Sequence, residues 1–287
     1  MALEEGVSRR DMSCRVEIVS VGNELLIGKV ANTNAQWLAQ RLASLGVAVT
    51  RIIVVEDSVD DISKALEEVL DRKPSFLIVT GGLGPTFDDM TLQGVSDAVH
   101  IPLRANRQAL RMIKEKVGIG SAKNEGRLGQ AYEKMAVLPR GSKPIPNPVG
   151  LAPGVRLKVR GVELVCLPGV PQEMKAIFDQ SVFPDILRLS GAKRFHESSL
   201  RISGIGEPEV APLIDATMRD NPYVYVKSHP KLDREGIWIE LHLSTVAETA
   251  VEGETRISRA VERIRSLVQL NGGLVGEILA KSSEDET

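Results

Sequence analysis

Cysteine and aromatic residues are scarce in this sequence: 2 of the 287 residues are cysteine, and aromatic residues make up 3% of the chain. Cys14 and Cys166 both lie in apolar, strand-like segments, which predicts two buried thiols. Two cysteines are too few for a disulfide framework or a zinc site. The sequence also lacks an apolar run near the roughly 18 residues of a membrane helix, and an apolar segment typical of a signal peptide. These absences favour a cytoplasmic protein with no membrane partner.

Neither sign of charge predominates, because 36 Lys and Arg residues face 38 Asp and Glu residues, for a formal net charge of -2. Nucleic-acid-binding domains usually carry a basic face, so this balance argues against a nucleic-acid partner, although a local basic patch stays open. The hydrophobic fraction of 43% and the charged fraction of 26% are typical of a globular protein. The length suits one large domain and a smaller one.

The first half of the chain alternates between strand and helix patterns. Short apolar runs at 16–22, 49–56 and 75–80 predict strands, while the spacing of apolar residues predicts helices at 32–46 and 58–73 and another from Met90. Ser58 and Asp61 have the spacing of a capping box at the start of the second helix. Apolar strands separated by helices predict a mostly parallel sheet that is buried on both faces, in a doubly wound α/β layer.

The remaining segments predict a loop, a hairpin and a second domain. Five prolines and three glycines in residues 136–154 predict a long irregular loop, which is usually functional at this length. Two strands should flank Arg160-Gly161, and one helix should follow with Pro171 near its start. From Phe195 a β-α-β-β-α pattern predicts a small two-layer α+β domain. We therefore expect domains at residues 14–190 and 195–278.

The stretch TGGLGPTFDD, residues 80–89, joins the third predicted strand to a helix. In an open α/β sheet, ligands bind beyond the carboxyl ends of the strands, where glycine lets the backbone approach an anion. Asp88 and Asp89 are candidates for metal ligands, for acceptors of sugar or pterin hydrogens, or for helix caps, and capping explains one aspartate better than two. The spacing fits neither a Walker A loop nor a dinucleotide fingerprint. The candidate phosphate-binding residues are Thr80, Gly81, Gly82, Gly84 and Thr86.

Two further segments have the same character. Glu24 follows the first strand and is a candidate ligand or base, with a solvated loop carboxylate as the alternative. Glu173 lies on a helix that begins with Pro-Gly-Val-Pro, which is either part of a site or only a stiff helix start. The candidate substrate-binding residues of these segments are Gly22, Asn23, Asn32, Asn34, Asn147, Gly150 and Gly169.

The segments VGNELLIGKVANTNAQWLAQRLASLGV, TGGLGPTFDD, NPVGLAPG and LPGVPQEM closely resemble the amino-terminal domain of CinA proteins, in the same order, over about residues 15–180. That domain belongs to the molybdopterin-binding superfamily, with MogA, MoaB and MoeA. The resemblance implies a three-layer, MogA-like domain followed by a small α+β subdomain. The carboxyl-terminal amidohydrolase domain of full-length CinA is not expected in this chain.

The resemblance also implies a nucleotide or pterin-phosphate pocket and metal-dependent hydrolysis of a pyrophosphate bond, as in ADP-ribose or FAD. The cofactor would be a divalent metal (Mg, Mn or Co), often with K. Asp88 and Asp89 would hold the metal or, with Glu24, activate water. Lys227 would reach the phosphate from the second domain or another subunit, and a homodimer is expected. The alternatives are binding without turnover, molybdopterin adenylyl transfer in the same pocket, and an interaction scaffold.

Overall fold

Residues 14–117, 127–191, 194–233 and 236–277 are described by a computed structural model. The chain divides into two compact units. The larger unit comprises Val47–Ser190 and the described part of residues 13–43. The smaller unit comprises the described part of residues 191–287 and the short segment Ser44–Gly46. No helix in the described ranges has the length and apolar character needed to cross a membrane.

The larger unit is built from short strands that alternate with helices in its first half. In chain order its elements are β1 (Arg15–Val21), α1 (Asn23–Leu26), α2 (Thr33–Ala43), β2 (Ala48–Val55), α3 (Val59–Arg72), β3 (Phe76–Thr80), α4 (Thr91–Val99), β4 (Leu103–Ala105), α5 (Arg107–Val117), α6 (Arg127–Met135), β5 (Val137–Pro139), β6 (Lys143–Ile145), β7 (Gly154–Val159), β8 (Val162–Leu167), α7 (Pro171–Ile177), a π-helical turn (Phe178–Val182) and α8 (Phe183–Leu189).

A six-stranded sheet in the order β2-β1-β3-β8-β7-β6 forms the centre of this unit. Neighbouring strands among β2, β1, β3 and β8 pair in parallel, whereas β7 and β6 complete the edge in antiparallel pairs. Every residue of β3 is buried, as expected for a parallel strand covered by helices on both faces. Cys14 and Cys166 are free, buried thiols. The predicted α/β layer with its mainly parallel sheet is thereby confirmed.

The prediction of an irregular loop over residues 136–154 is wrong in part, because two short strands lie within it. β5 pairs with β4, and β6 pairs with β7 at the edge of the large sheet. Pro144 sits in β6 opposite Val155. Proline lacks an N–H donor and is tolerated in an edge strand, which needs hydrogen bonds on one side only. The high proline content therefore predicts a loop where the structure has an edge strand.

The single helix predicted after Pro171 is interrupted. α7 has proline at its start, as expected, but the chain then forms the π-helical turn before α8 begins. Pro184 lies in the first turn of α8. Proline has no N–H to give to the preceding turn and its ring crowds the carbonyl four residues earlier, so a regular helix cannot run through it.

The smaller unit has the element order β-α-β-β-α-β. Its elements are β9 (Arg194–Ser203), α9 (Glu207–Asp220), β10 (Tyr225–Asp233), β11 (Gly236–Ala247), α10 (Ala250–Leu270) and β12 (Leu274–Glu277). The sheet order is β10-β11-β9-β12, and all its pairs are antiparallel. Buried residues of the strands and of both helices form one apolar cluster. This is a ferredoxin-like arrangement. The last strand, β12, was not among the sequence predictions.

Candidate functional site

Four parallel strands of the larger unit end at the same edge of the sheet, and polar loops follow each of them. The loop after β1 carries Glu24, the end of β2 is followed by Asp57, and the glycine-rich segment follows β3. Gly169 follows β8. Because parallel strands present their carboxyl ends together, these loops form one crevice of the kind that binds ligands in open α/β sheets.

The first glycine after β3 is held by the neighbouring strands. The Gly81 N–H donates to the Leu167 carbonyl at 3.1 Å, and its carbonyl accepts from the Thr91 hydroxyl at 2.8 Å. Its φ of +106° is a conformation that favours glycine, and a Cβ would lie 2.2 Å from the Val21 carbonyl oxygen. Gly81 is therefore required for close packing, and its N–H is already used within the fold.

The next two glycines have a different role available to them. Within the described ranges, the N–H groups of Gly82 and Gly84 have no hydrogen-bond partner. A Cβ on Gly82 would meet the Thr91 hydroxyl at 2.4 Å, and one on Gly84 would meet the Asp89 carboxylate at 2.6 Å. The φ of +61° at Gly82 favours glycine, and a side chain at Gly84 would displace the Asp89 carboxylate. Both positions can offer N–H groups to an anion.

Asp89 folds back onto its own loop. Its Oδ2 accepts from the Thr86 N–H at 2.7 Å and from the Thr86 hydroxyl at 2.5 Å. Lys134 of α6, which the sequence analysis did not identify, donates from Nζ to the Thr86 carbonyl. Asp89 therefore stabilises the loop before α4, as a capping residue does. Its predicted contact with metal stays a prediction.

Asp88 is exposed at the tip of the same loop. The pKa of its carboxyl lies below its usual value, chiefly because of the nearby Thr86 side chain, helped by the backbone N–H of Asp88 and the charge of Lys134. Asp88 is therefore ionised and accessible, as a ligand of a hard cation must be.

Asp57 is a member of this site that the sequence analysis missed. Its Oδ2 accepts from the Asn23 N–H at 2.8 Å, and its own N–H donates to the Asn23 side chain at 3.3 Å. Burial raises its pKa most, and the negative charges of Glu24, Asp88 and Asp89 raise it further. The charges of three carboxylates, from the loops after β1 and β3, therefore act on Asp57. Its position two residues beyond a parallel strand was the available signal.

Asn32 and Asn34 join the loops to one another. Asn32 exchanges hydrogen bonds with Ser20 and its Oδ1 accepts from the Ala35 N–H at 3.2 Å, which caps α2. The Asn34 Nδ2 donates to the Gly169 carbonyl at 2.8 Å and to the Thr80 hydroxyl at 3.2 Å. Thr80 in turn donates to the Pro168 carbonyl at 3.1 Å.

The other amide atom of Asn34 is buried and, among the described residues, has no hydrogen-bond partner. A buried acceptor left without a donor costs free energy, so such an atom commonly marks a place where a ligand or water donates. The Asn34 Oδ1 is accordingly a candidate acceptor for a ligand N–H or O–H group.

Asn147 organises the loop before β7. Its Nδ2 donates to the Glu173 Oε2 at 2.6 Å and to the Ala152 carbonyl at 2.9 Å. Its Oδ1 accepts from the Gly150 N–H at 2.8 Å. A Cβ on Gly150 would lie 2.0 Å from the Glu173 carboxyl carbon, so a side chain there would displace the Glu173 carboxylate. These contacts make Asn147 and Gly150 loop-forming residues, and their predicted contact with substrate stays a prediction.

Lys227 lies in the smaller unit. It is exposed on β10 and is paired with His242 of β11 in the sheet register. Its predicted contact with phosphate stays a prediction.

A metal site would need substrate atoms to complete it. In the described ranges, no group of three or more His, Cys, Asp and Glu side chains could hold a metal ion. Mg²⁺ usually binds one or two carboxylates together with substrate phosphates and water, rather than an all-protein cage. The exposed carboxylate of Asp88, with Glu24 and Asp57 nearby, fits such a shared site because its donors are hard oxygens.

The fold and these loops define an α/β protein with a ligand crevice at the carboxyl edge of its sheet. A family model described as "Probable molybdopterin binding domain" matches residues 17–188, and the chain belongs to this family. The crystal structure of the protein CinA with unknown function, from Thermoplasma acidophilum, is similar at 40% identity and a TM-score of 0.54, covering 60% of this chain and 98% of that one. The predicted resemblance to CinA amino-terminal domains is thereby confirmed.

Two similar proteins align with this chain over most of their length. A protein of Pyrobaculum calidifontis is 42% identical over 254 residues, which cover 88% of this chain and 95% of that protein. A protein of Aeropyrum pernix is 40% identical over 267 residues, which cover 92% and 97% of the two chains. Both alignments therefore extend beyond the part that the family model matches.

Proposed function

We propose that this protein hydrolyses the pyrophosphate bond of a nucleoside diphosphate compound such as ADP-ribose, with a divalent metal. The family supports a small ligand of the nucleotide or pterin type. The observation that carries the proposal is the position of Glu24, Asp57, Asp88 and Asp89 in the loops that follow β1, β2 and β3, beside the glycine loop. A pyrophosphate is negatively charged, so these carboxylates would repel it. A cation bound between the phosphates and the carboxylates would neutralise both sets of charges.

The reaction breaks one P–O bond and forms another. The oxygen of water bonds to one phosphorus, the bridging oxygen leaves with the other phosphoryl group, and ADP-ribose plus water gives AMP plus ribose 5-phosphate. The N–H groups of Gly82 and Gly84 would donate to the phosphate oxygens. Glu24 or Asp88 would accept the proton of the attacking water. A bound divalent metal would supply charge neutralisation and acidify that water.

Molybdopterin binding, or adenylyl transfer to molybdopterin, is the second candidate. It is favoured by the family description and by the buried Asn34 Oδ1, which has no donor among the described residues, because a pterin ring carries N–H groups along its edge. Adenylyl transfer requires the same phosphate cradle as hydrolysis. The two candidates differ in the acceptor of the phosphoryl group, so identification of the product separates them.

The test is incubation of the purified protein with ADP-ribose, K⁺ and each of Mg²⁺, Mn²⁺ and Co²⁺, with AMP measured by chromatography. Asp88→Asn and Glu24→Gln should each lower kcat by about 10²–10⁴-fold, the usual contribution of a proton-transfer or charge-stabilising group. Asp71→Asn is the matched control, because Asp71 is exposed and pairs with Arg160 on another part of the unit. Absence of AMP with all three metals would reject hydrolysis of ADP-ribose.

A further inference from the structure

Phe87 is a large apolar side chain that the site loop exposes to solvent. It is 87% exposed, although the loop that carries it is held in place. Asp89 bonds to the Thr86 N–H and hydroxyl, and Lys134 bonds to the Thr86 carbonyl, immediately before Phe87. An aromatic ring gains stability when it is removed from water, yet this one is presented to solvent from a braced turn.

The neighbouring loop presents apolar groups at the same edge of the sheet. Leu26 is 54% exposed and Ile27 is 75% exposed, and both follow Glu24 closely in the loop after β1. Because β1 and β3 are adjacent parallel strands, the loops that follow them lie side by side. The crevice therefore combines two chemistries, carboxylates for a cation and exposed apolar surface.

We propose that Phe87 is the platform on which the flat heteroaromatic ring of the ligand stacks, a purine that carries phosphate. Phe87 is adjacent to Asp88, so a ring on Phe87 and a cation-bound phosphate beside Asp88 would belong to one ligand of nucleotide size. The proposal deepens the proposed function, on which its assignment of the phosphate end rests. It assigns the ring end of the ligand to a residue that the phosphate chemistry does not require.

A second copy of the chain is a less suitable binding partner for Phe87 than a small ligand. The cores of protein interfaces are depleted in charged residues. Phe87 is followed directly by Asp88 and Asp89, whose charges already raise the pKa of Asp57. Burial of this tip against protein would desolvate those carboxylates without a counter-charge, whereas a metal–nucleotide supplies one. The charge pattern therefore favours the small ligand.

The experiment compares ligands with and without a ring by isothermal titration calorimetry in the presence of Mn²⁺. AMP and ADP-ribose carry the ring, whereas inorganic pyrophosphate does not. Phe87→Leu keeps an apolar side chain but removes the aromatic face, and Phe87→Trp keeps a face. Val251→Ala is the control, because Val251 is 73% exposed on α10 of the other unit.

Phe87→Leu should weaken AMP and ADP-ribose by roughly 5- to 150-fold, the range that loss of base stacking gives, and leave pyrophosphate unchanged. Phe87→Trp should keep the affinity, and its fluorescence should change when AMP binds. Equal weakening of all three ligands, or no weakening, would overturn the proposal. A change from dimer to monomer in sedimentation of Phe87→Leu, with AMP affinity unchanged, would also overturn it and assign Phe87 to an interface.

The two proposals fail in different ways. If the wild-type protein binds AMP in a Phe87-dependent way but releases no AMP from ADP-ribose, the platform stands and the hydrolase is rejected. If ADP-ribose is hydrolysed with the same KM by the wild type and Phe87→Leu, the hydrolase stands and the platform is rejected. If neither AMP nor ADP-ribose binds the wild type, both are rejected.

Discussion

Gly81→Ala should destabilise the larger unit far more than an alanine at another left-handed glycine. Gly141 is the matched control, because its φ is +85° and a Cβ there would meet nothing within 4 Å. A left-handed backbone costs an ordinary residue about 1–2 kcal/mol, and this cost applies to both substitutions. At Gly81 the Cβ would also lie 2.2 Å from the Val21 carbonyl oxygen, which must then move. Such overpacking adds about 1–3 kcal/mol, for a total of about 2–5 kcal/mol.

The assay is guanidinium unfolding of the two variants at equal pH, followed by fluorescence. The chain has two tryptophans, one in each unit, so a Trp238→Phe background leaves Trp37 as the reporter of the larger unit. Equal losses of stability for Gly81→Ala and Gly141→Ala would refute the inference that Gly81 is fixed between the ends of β1 and β8. Such a result would also remove the reason for a rigid glycine loop.

Four further substitutions, one of them a control, test the electrostatics and the loop contacts. The pKa of Asp57 is raised, so the stability that it contributes is complete below the usual carboxyl pKa of about 4 and is lost as pH rises through the raised value. Asp57→Asn should therefore raise the free energy of unfolding more at pH 7 than at pH 4, and a pH-independent effect would contradict this. Arg72→Ala leaves the buried Glu17 carboxylate, whose Oε2 lies 2.7 Å from the Arg72 Nη2, without its partner, so it should cost about 3–5 kcal/mol in urea unfolding. Arg160→Ala, at an exposed pair, should cost less than about 1 kcal/mol, and equal costs would be inconsistent with burial as the cause. Asn147→Ala removes the hydrogen bonds that shape residues 147–152, so it should speed limited proteolysis of this loop. An unchanged rate of cleavage would show that these bonds are not needed to keep the loop structured.

The parallel core was predictable because its strands are continuous apolar runs. β1 and β3 are buried on both faces, so their sequences show no polar alternation. The glycine loop was also recognisable, since close backbone approach excludes side chains at Gly81 and Gly82. These features depend on local sequence and on a general rule for open sheets.

The features that were missed depend on partners far away in the chain. β6 is a three-residue edge strand that contains proline, and only its pairing with β7 identifies it. β12 is four residues long and is defined by pairing with β9. Lys134 reaches the site because α6 packs near a loop that lies 48 residues earlier in the chain. Local sequence patterns do not reveal contacts between residues that are far apart in the chain.

The aspartates of the motif illustrate the limit for site residues. Asp88 and Asp89 are adjacent and of one residue type, so the motif alone predicts the same candidate roles for both. In the structure Asp88 is exposed, whereas the Oδ2 of Asp89 accepts two bonds from Thr86. The direction of a side chain in a turn depends on backbone angles that the motif alone does not specify.

The central claim is that this crevice cleaves a pyrophosphate with water. The most direct measurement is mass spectrometry of the products formed from ADP-ribose and Mn²⁺ in water enriched in ¹⁸O. We predict one ¹⁸O atom per turnover, in the phosphate of AMP or of ribose 5-phosphate, and loss of both products in Asp88→Asn. Intact ADP-ribose after prolonged incubation with the wild-type protein, or products without ¹⁸O, would contradict the claim.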